Sequence, residues 1–202
     1  LPVTEHQPSL FSAAELSGCY AVTPKTGLEI SQPALSDWKK RIFEYQQQVK
    51  RQLPMQQGTL FDLMPADSTL PVALTEPDHL DPFALPQQNT EFWRWKAEEA
   101  GVAALYFVID YEWPILLYVG ETVKSNQRWK GEHDCKRYLL NYRQVHYQHQ
   151  LQSMLGIAFW TQAPTQTRPR QKLESALIRK WRSPFNKENW QFWGTPFIGM
   201  SY

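Results

Sequence analysis

A chain of 202 residues, 42% hydrophobic and 14% aromatic, can build a core, and its length suits one compact domain with an extension or two small domains. No apolar run approaches the roughly 20 residues needed to cross a bilayer, no signal-peptide pattern opens the sequence, and Cys19 and Cys135 are too few for a disulfide framework, so the expectation is a cytoplasmic protein with no membrane partner. The net charge of +1 hides an asymmetry: residues 1–90 carry 6 Lys and Arg against 10 Asp and Glu, whereas residues 124–187 carry 13 against 3. Such a basic stretch points to a polyanion-binding face, or else to a merely solvated basic surface.

In chain order, residues 1–90 read as an N-terminal extension. Its one convincing helix spans about 36–53, where Trp38, Ile42, Tyr45, Val49 and Leu53 recur on a single helical face, with Ser36 as N-cap and Asp37 at the positive end of the dipole. Pro54, Pro65, Pro71, Pro77, Pro82 and Pro86 mark an extended connector after it. Residues 91–202 have a different texture. TEFWRWKAEEAG predicts a helix capped by Asn89 or Thr90 and stopped at Gly101. Two β-rich runs follow, about 103–110 and 115–121, joined by a tight turn. A basic helical region over about 124–152 is expected to break near Asn141, and LGIAFWTQ, 155–162, predicts a third strand. A last helix opens at Pro169, keeps Leu173, Leu177 and Trp181 on one side, and ends at SPFN. The expected fold class is α+β: a small antiparallel three-stranded sheet flanked by helices, with a mostly helical or extended N-terminal extension.

Certain residues in this second unit carry chemistry. Ala104-Leu105-Tyr106 stands in the first strand and Tyr118-Val119-Gly120 in the second, with 11 residues between the tyrosines. Arg128 follows Tyr118 by ten and His133 lies just beyond; Glu174 begins ESALIRKW, and Asn186 closes SPFN. This order resembles the GIY-YIG nucleases over about 103–190, the second half of the chain. Ala104 and Leu105 stand where the family has glycine and isoleucine. Glu121 stands where some relatives, such as the excision-repair nucleases, have lysine, which places a second carboxylate near the expected site.

What the resemblance implies fits the physical chemistry of the positions. Phosphodiester hydrolysis needs a nucleophilic water, charge neutralisation at phosphorus and a stabilised leaving oxygen. Glu174 would be the metal ligand, a single carboxylate sufficing for Mg²⁺ or Mn²⁺ because water and substrate oxygens complete the shell. Arg128 suits a phosphate oxygen. Tyr106 and Tyr118 would orient or deprotonate the water, with help from Arg128, His133 or the metal, since a phenol near pKa 10 is a poor base at neutral pH. If Asp110 pairs with Pro114, the two tyrosines lie opposite each other on one face; a slip of one residue separates them. Gly120 would let backbone and substrate approach closely. Asn186 completes the catalytic set or caps the helix end. The basic stretch supplies Lys124, Lys130, Lys136, Arg137, Arg143, Arg168, Arg170 and Lys172 as candidate DNA contacts.

Three further signals stand apart. His133, Cys135, His146 and His149 suggest zinc, but a second cysteine at ligand spacing is missing. Gln7, Leu10 and Phe11 in QPSLF, and Gln57, Leu60 and Phe61 in QGTLF, match a Q-x-x-L-F pattern that looks like the peptide many bacterial repair proteins insert into the sliding clamp; the plainer reading is that they anchor the extension. Trp190, Phe192, Trp193 and Phe197 suit stacking on unpaired bases, although aromatics after a core helix more often pack beneath it. The expected function is a metal-dependent DNA endonuclease of bacterial repair, recombination or restriction, recruited by the clamp. The competing expectation is a clamp-associated adaptor with weak or no cleavage.

Overall fold

The computed structural model describes residues 30–52, 77–89, 102–124 and 134–198. Both Q-x-x-L-F segments, most of the helix expected over TEFWRWKAEEAG, and Arg128, Lys130 and His133 lie outside the described residues.

Helix α1 (Gln32–Arg51) begins four residues before the expected cap. Ser31, not Ser36, closes its N-terminus, accepting the Ala34 N–H, and Pro33 sits in the first turn, where no N–H is needed. Its buried stripe holds Leu35, Trp38, Ile42 and Val49, together with two polar residues, Lys39 and Gln46.

The sheet is antiparallel and has four strands rather than three. Strand β1 (Gln87–Asn89) pairs with β4 (Leu155–Trp160), β4 with β2 (Ala104–Asp110), and β2 with β3 (Ile115–Thr122), giving the order β1-β4-β2-β3. Gln-Gln-Asn has no apolar alternation to announce a strand; β1 exists because it satisfies the free edge of β4. Asn89, expected as a helix cap, is its last residue. Every residue of β2 is buried, as a central strand covered on both faces demands. Helix α2 (Asp134–Gln148) does not break at Asn141, whose amide is buried and donates to the Phe197 carbonyl instead. Helix α3 (Thr167–Trp181) and the short α4 (Trp190–Trp193) complete the α+β fold.

Each face of the sheet carries its own core. On one, Tyr106, Val108, Ile115 and Leu117 meet Leu35, Trp38 and Ile42 of α1, Tyr138 and Tyr142 of α2, and the C-terminal Phe185, Trp193 and Phe197. On the other, Leu105, Phe107, Leu116 and Val119 meet Leu173, Leu177, Ile178 and Trp181 of α3. Helix α1 crosses the β3 edge, so that Ile42 lies in the first core and Val49 in the second. Residues on both sides of position 90 therefore share one sheet and the same two cores; among the described residues, the boundary expected there divides no packing unit.

The unpaired edge of β3 is closed by side-chain amides. Gln46 donates to the carbonyl of Leu116 at 3.0 Å and accepts its N–H at 2.8 Å, acting as a piece of strand. Asn186 does the same at Val119, accepting the N–H at 3.0 Å and donating to the carbonyl at 2.9 Å. Replacing Asn186 by Leu would orphan a buried N–H and C=O. The expected loss is about 2–5 kcal/mol, readable as a fall in denaturant midpoint; an unchanged midpoint would show that β3 holds its place without the amide.

A buried ion pair fastens α1 to the end of β2. Lys39 Nζ lies 3.0 Å from Asp110, which also accepts the Tyr142 hydroxyl at 2.7 Å and the backbone N–H groups of Glu112 and Met154. Lys39 Nζ is also 3.1 Å from His146 Nε2, while His146 Nδ1 reaches the Tyr142 carbonyl at 2.7 Å. Those contacts require a neutral imidazole, with Nδ1 donating and Nε2 accepting from the ammonium. Burial holds the His146 pKa below its ordinary value, the first of several causes that also include Lys39. The unfolded chain thus binds the proton more readily than the folded one. The associated stability is fully present above about pH 6.5 and is lost as pH falls from there through the lowered folded value. Thermal melts of wild type should drop across that window, and those of His146→Gln should drop less; parallel curves would remove His146 as the cause.

Candidate active site

The register of the hairpin decides where the two tyrosines point. Near the turn, Asp110 faces Ile115 and Ile109 faces Leu116. Carried on unchanged, that register would set Tyr106 opposite Val119 and leave Tyr118 on the other face. A bulge between Val108 and Ile109, with Leu117 as the additional residue on β3, shifts the pairing to Val108–Tyr118 and Tyr106–Gly120. The slip is undone, and the phenols become diagonal neighbours on one face rather than the direct pair expected from Asp110 facing Pro114. Their rings stack at 5.9 Å between centroids, 28° apart. The bulge is fixed from outside the hairpin: the Phe185 N–H bonds the Leu117 carbonyl at 2.9 Å, between the amides of Gln46 and Asn186.

Gly120 completes the geometry by being absent as a side chain. A Cβ there would lie 2.7 Å from Tyr106 Cε1 and closer still to Cζ and the hydroxyl. The ring of Tyr106, fully buried, occupies that space. Glycine is needed here for close approach of a protein side chain, not for an unusual backbone angle.

Helix α3 supplies the carboxylate. Arg170 bonds Glu121 and Gln46 bonds the Trp181 carbonyl, so α3 runs antiparallel to β3 along its edge. Glu174, half-buried, lies between those two ties, and its charge acts on the Tyr118 phenol. Burial first, then Tyr106, Cys135 and Glu174, push the Tyr118 pKa well above its ordinary value. At neutral pH, Tyr118 is a neutral phenol hydrogen-bonded with Tyr106. It can orient a water or a phosphate oxygen, but it is no standing phenolate.

Against protein-family models, curated proteins and solved structures, the chain finds no match.

The sequence-predicted set is thus partly assembled. Tyr106 and Tyr118 stack on each other, and the charge of Glu174 acts on Tyr118. Asn186 is buried, with its amide spent on Val119 and its Oδ1 also accepting the Ser183 hydroxyl at 2.6 Å, so it positions the strand rather than facing a substrate. Glu121 does not add a second carboxylate beside the tyrosines. It turns to the α3 face and pairs with Arg170 at 2.7 Å. Arg170 in turn is no DNA contact: it is fully buried, and its Nη1 meets the carbonyls of Pro164 and Thr165, while Nη2 is buried without a hydrogen-bond partner. A buried arginine beside a carboxylate and two carbonyls is a structural clamp. Arg137 is half-buried, 3.3 Å from Asp134 and over the Tyr138 ring. Lys124, Arg143, Arg168 and Lys172 are exposed, and Lys136 is half-buried. Cys135 is buried, His146 is held by Lys39 and Tyr142, and His149 Nε2 meets the Ile30 carbonyl at 2.6 Å; these groups point to different partners, and no group of metal-binding side chains of three or more occurs among the described residues.

Lys39, Gln46 and Asp110 were missed by the sequence reading. The signal was present: positions 35, 38, 39, 42, 46 and 49 all fall on one helical stripe. A lysine and a glutamine inside an apolar stripe are candidates for buried, partnered polar groups.

Proposed function

We propose that this chain is a divalent-metal-dependent DNA endonuclease of the GIY-YIG type. The observation that carries the reading is the stack of Tyr106 on Tyr118, brought about by the bulge, with the charge of Glu174 acting on Tyr118 from α3 and Asn186 bracing β3.

Glu174 fits Mg²⁺ or Mn²⁺ in being a half-exposed carboxylate at the rim of a neutral aromatic pair, the donor set a cation accepts when water supplies most of its shell. Bound there, the ion would polarise the scissile phosphate and ease ionisation of the attacking water. Tyr118, held neutral by burial and by its neighbours, orients that water through its hydroxyl. Tyr106 backs it from the interior. Arg128 is the proposed phosphate clamp, and the Q-x-x-L-F peptides are the proposed clamp-recruitment segments.

The test is nicking of supercoiled plasmid by the full chain with Mg²⁺, with Mn²⁺ and with EDTA. Metal-dependent nicking that falls about a hundredfold in Tyr118→Phe is expected. DNA binding without nicking under every metal condition would favour the adaptor reading instead.

A further inference from the structure

The outward face of α3 is a basic ridge with a guanidinium-and-ring platform at its end. Arg168, Lys172, Ser175 and Arg179 follow one another at steps of four, three and four, which is one stripe of a helix, and all are exposed. Arg182 continues the stripe one residue past the helix. The four cations cover about 20 Å. None of them pairs with a carboxylate among the described residues, whereas Lys39, Lys50, Arg170, Lys180 and Lys187 all do. No Asp or Glu interrupts the stripe.

Arg182 carries a second observation. Its φ is +45°, the left-handed conformation that commonly ends a helix but usually belongs to glycine. Its guanidinium lies 4.1 Å above the ring of Phe192. Phe192 is 50% exposed, while Tyr45 and Trp193 meet its ring at steep angles and hold it upright. Of Trp190, Phe192, Trp193 and Phe197, Trp193 and Phe197 are buried and Trp190 half-buried, so that among these four described aromatics Phe192 is the one most open to solvent.

We propose that this ridge and platform bind a single strand of nucleic acid: Arg168, Lys172 and Arg179 follow successive phosphates, and an unpaired base stacks at Arg182 and Phe192. In a duplex the bases are stacked on one another, and the exposed ring would have nothing to receive. The idea deepens the nuclease reading and rests on it for the strand's course. Glu174 projects from the same stretch of helix, about 100° round the axis from Ser175, so a strand held on the ridge passes the carboxylate.

The test measures binding alone, so that it stands apart from cleavage. The full chain carrying Glu174→Gln is titrated in EDTA, at several salt concentrations, against fluorescent oligothymidylate of about 20 nucleotides, a blunt duplex of equal length and anionic phosphatidylserine vesicles. Oligothymidylate should bind at least tenfold more tightly than duplex. Arg179→Ala with Arg182→Gly should weaken it at least tenfold and reduce the salt slope by about 1.4. Because glycine suits the left-handed position, Arg182→Gly alone should melt no lower than its parent, which separates lost binding from lost fold. Phe192→Leu should weaken oligothymidylate about tenfold with the salt slope unchanged. Equal affinity for duplex, binding indifferent to the ridge variants, or ridge-dependent binding confined to vesicles would each overturn the proposal. Ridge-dependent binding in a protein whose wild type never nicks DNA would uphold it while removing the nuclease reading.

Discussion

Glu174→Gln is expected to lower cleavage at least about a thousandfold while leaving the fold and DNA binding intact. The substitution keeps size and shape, removes the charge and turns one acceptor oxygen into an amide donor. Glu174 is half-buried on α3, outside the buried set of Leu173, Leu177, Ile178 and Trp181, so its loss opens no cavity. Near-normal cleavage would remove Glu174 from the mechanism altogether.

Gly120→Ala should be the most damaging small substitution in the sheet. One methyl group would meet the Tyr106 ring, which is fully buried and has no free volume to retreat into. Overpacking of this kind costs about 1–3 kcal/mol, and more where backbone must move. Here any retreat of Tyr106 also disturbs its stack with Tyr118, so the site suffers with the fold. The pairing can be isolated by a double-mutant cycle with Tyr106→Leu. If ring and glycine share one space, the double variant should be more stable than the sum of the singles predicts, by about 1 kcal/mol or more. Additive losses would show that Gly120 matters for some other reason.

Local pattern made the α+β class legible: the two β-rich runs of 103–110 and 115–121, the stripe of α1 and the apolar side of α3 were each readable within one element. The candidate residues were legible through their order along the chain. What escaped depended on partners far away in sequence. Strand β1 is three polar residues that become a strand only because β4 offers an edge. Arg170 reads as a surface cation until Glu121 and two carbonyls surround it. Asn141 reads as a helix breaker until the Phe197 carbonyl takes its amide. The bulge at Leu117 has no signature in a run of aliphatic residues, yet it alone determines that Tyr106 and Tyr118 share a face.

That bulge also sets an order of events in folding. A hairpin with a short turn forms quickly and locally, but the Tyr106–Tyr118 stack and the space at Gly120 are all that it holds within itself for the shifted register that unites the phenols. The register is secured by Gln46, 70 positions before its partner Leu116, and by Asn186, 67 positions after Val119. Contacts so distant along the chain form late, because most of the chain's freedom must be given up before they reward it. On the ribosome, where the N-terminal part emerges first, α1 can dock on β3 early, but Asn186 follows only after the segment that carries it has emerged. The tyrosine pair is therefore secured later than the hairpin that holds it, and a chain cut short before Asn186 would carry the motif without its full brace.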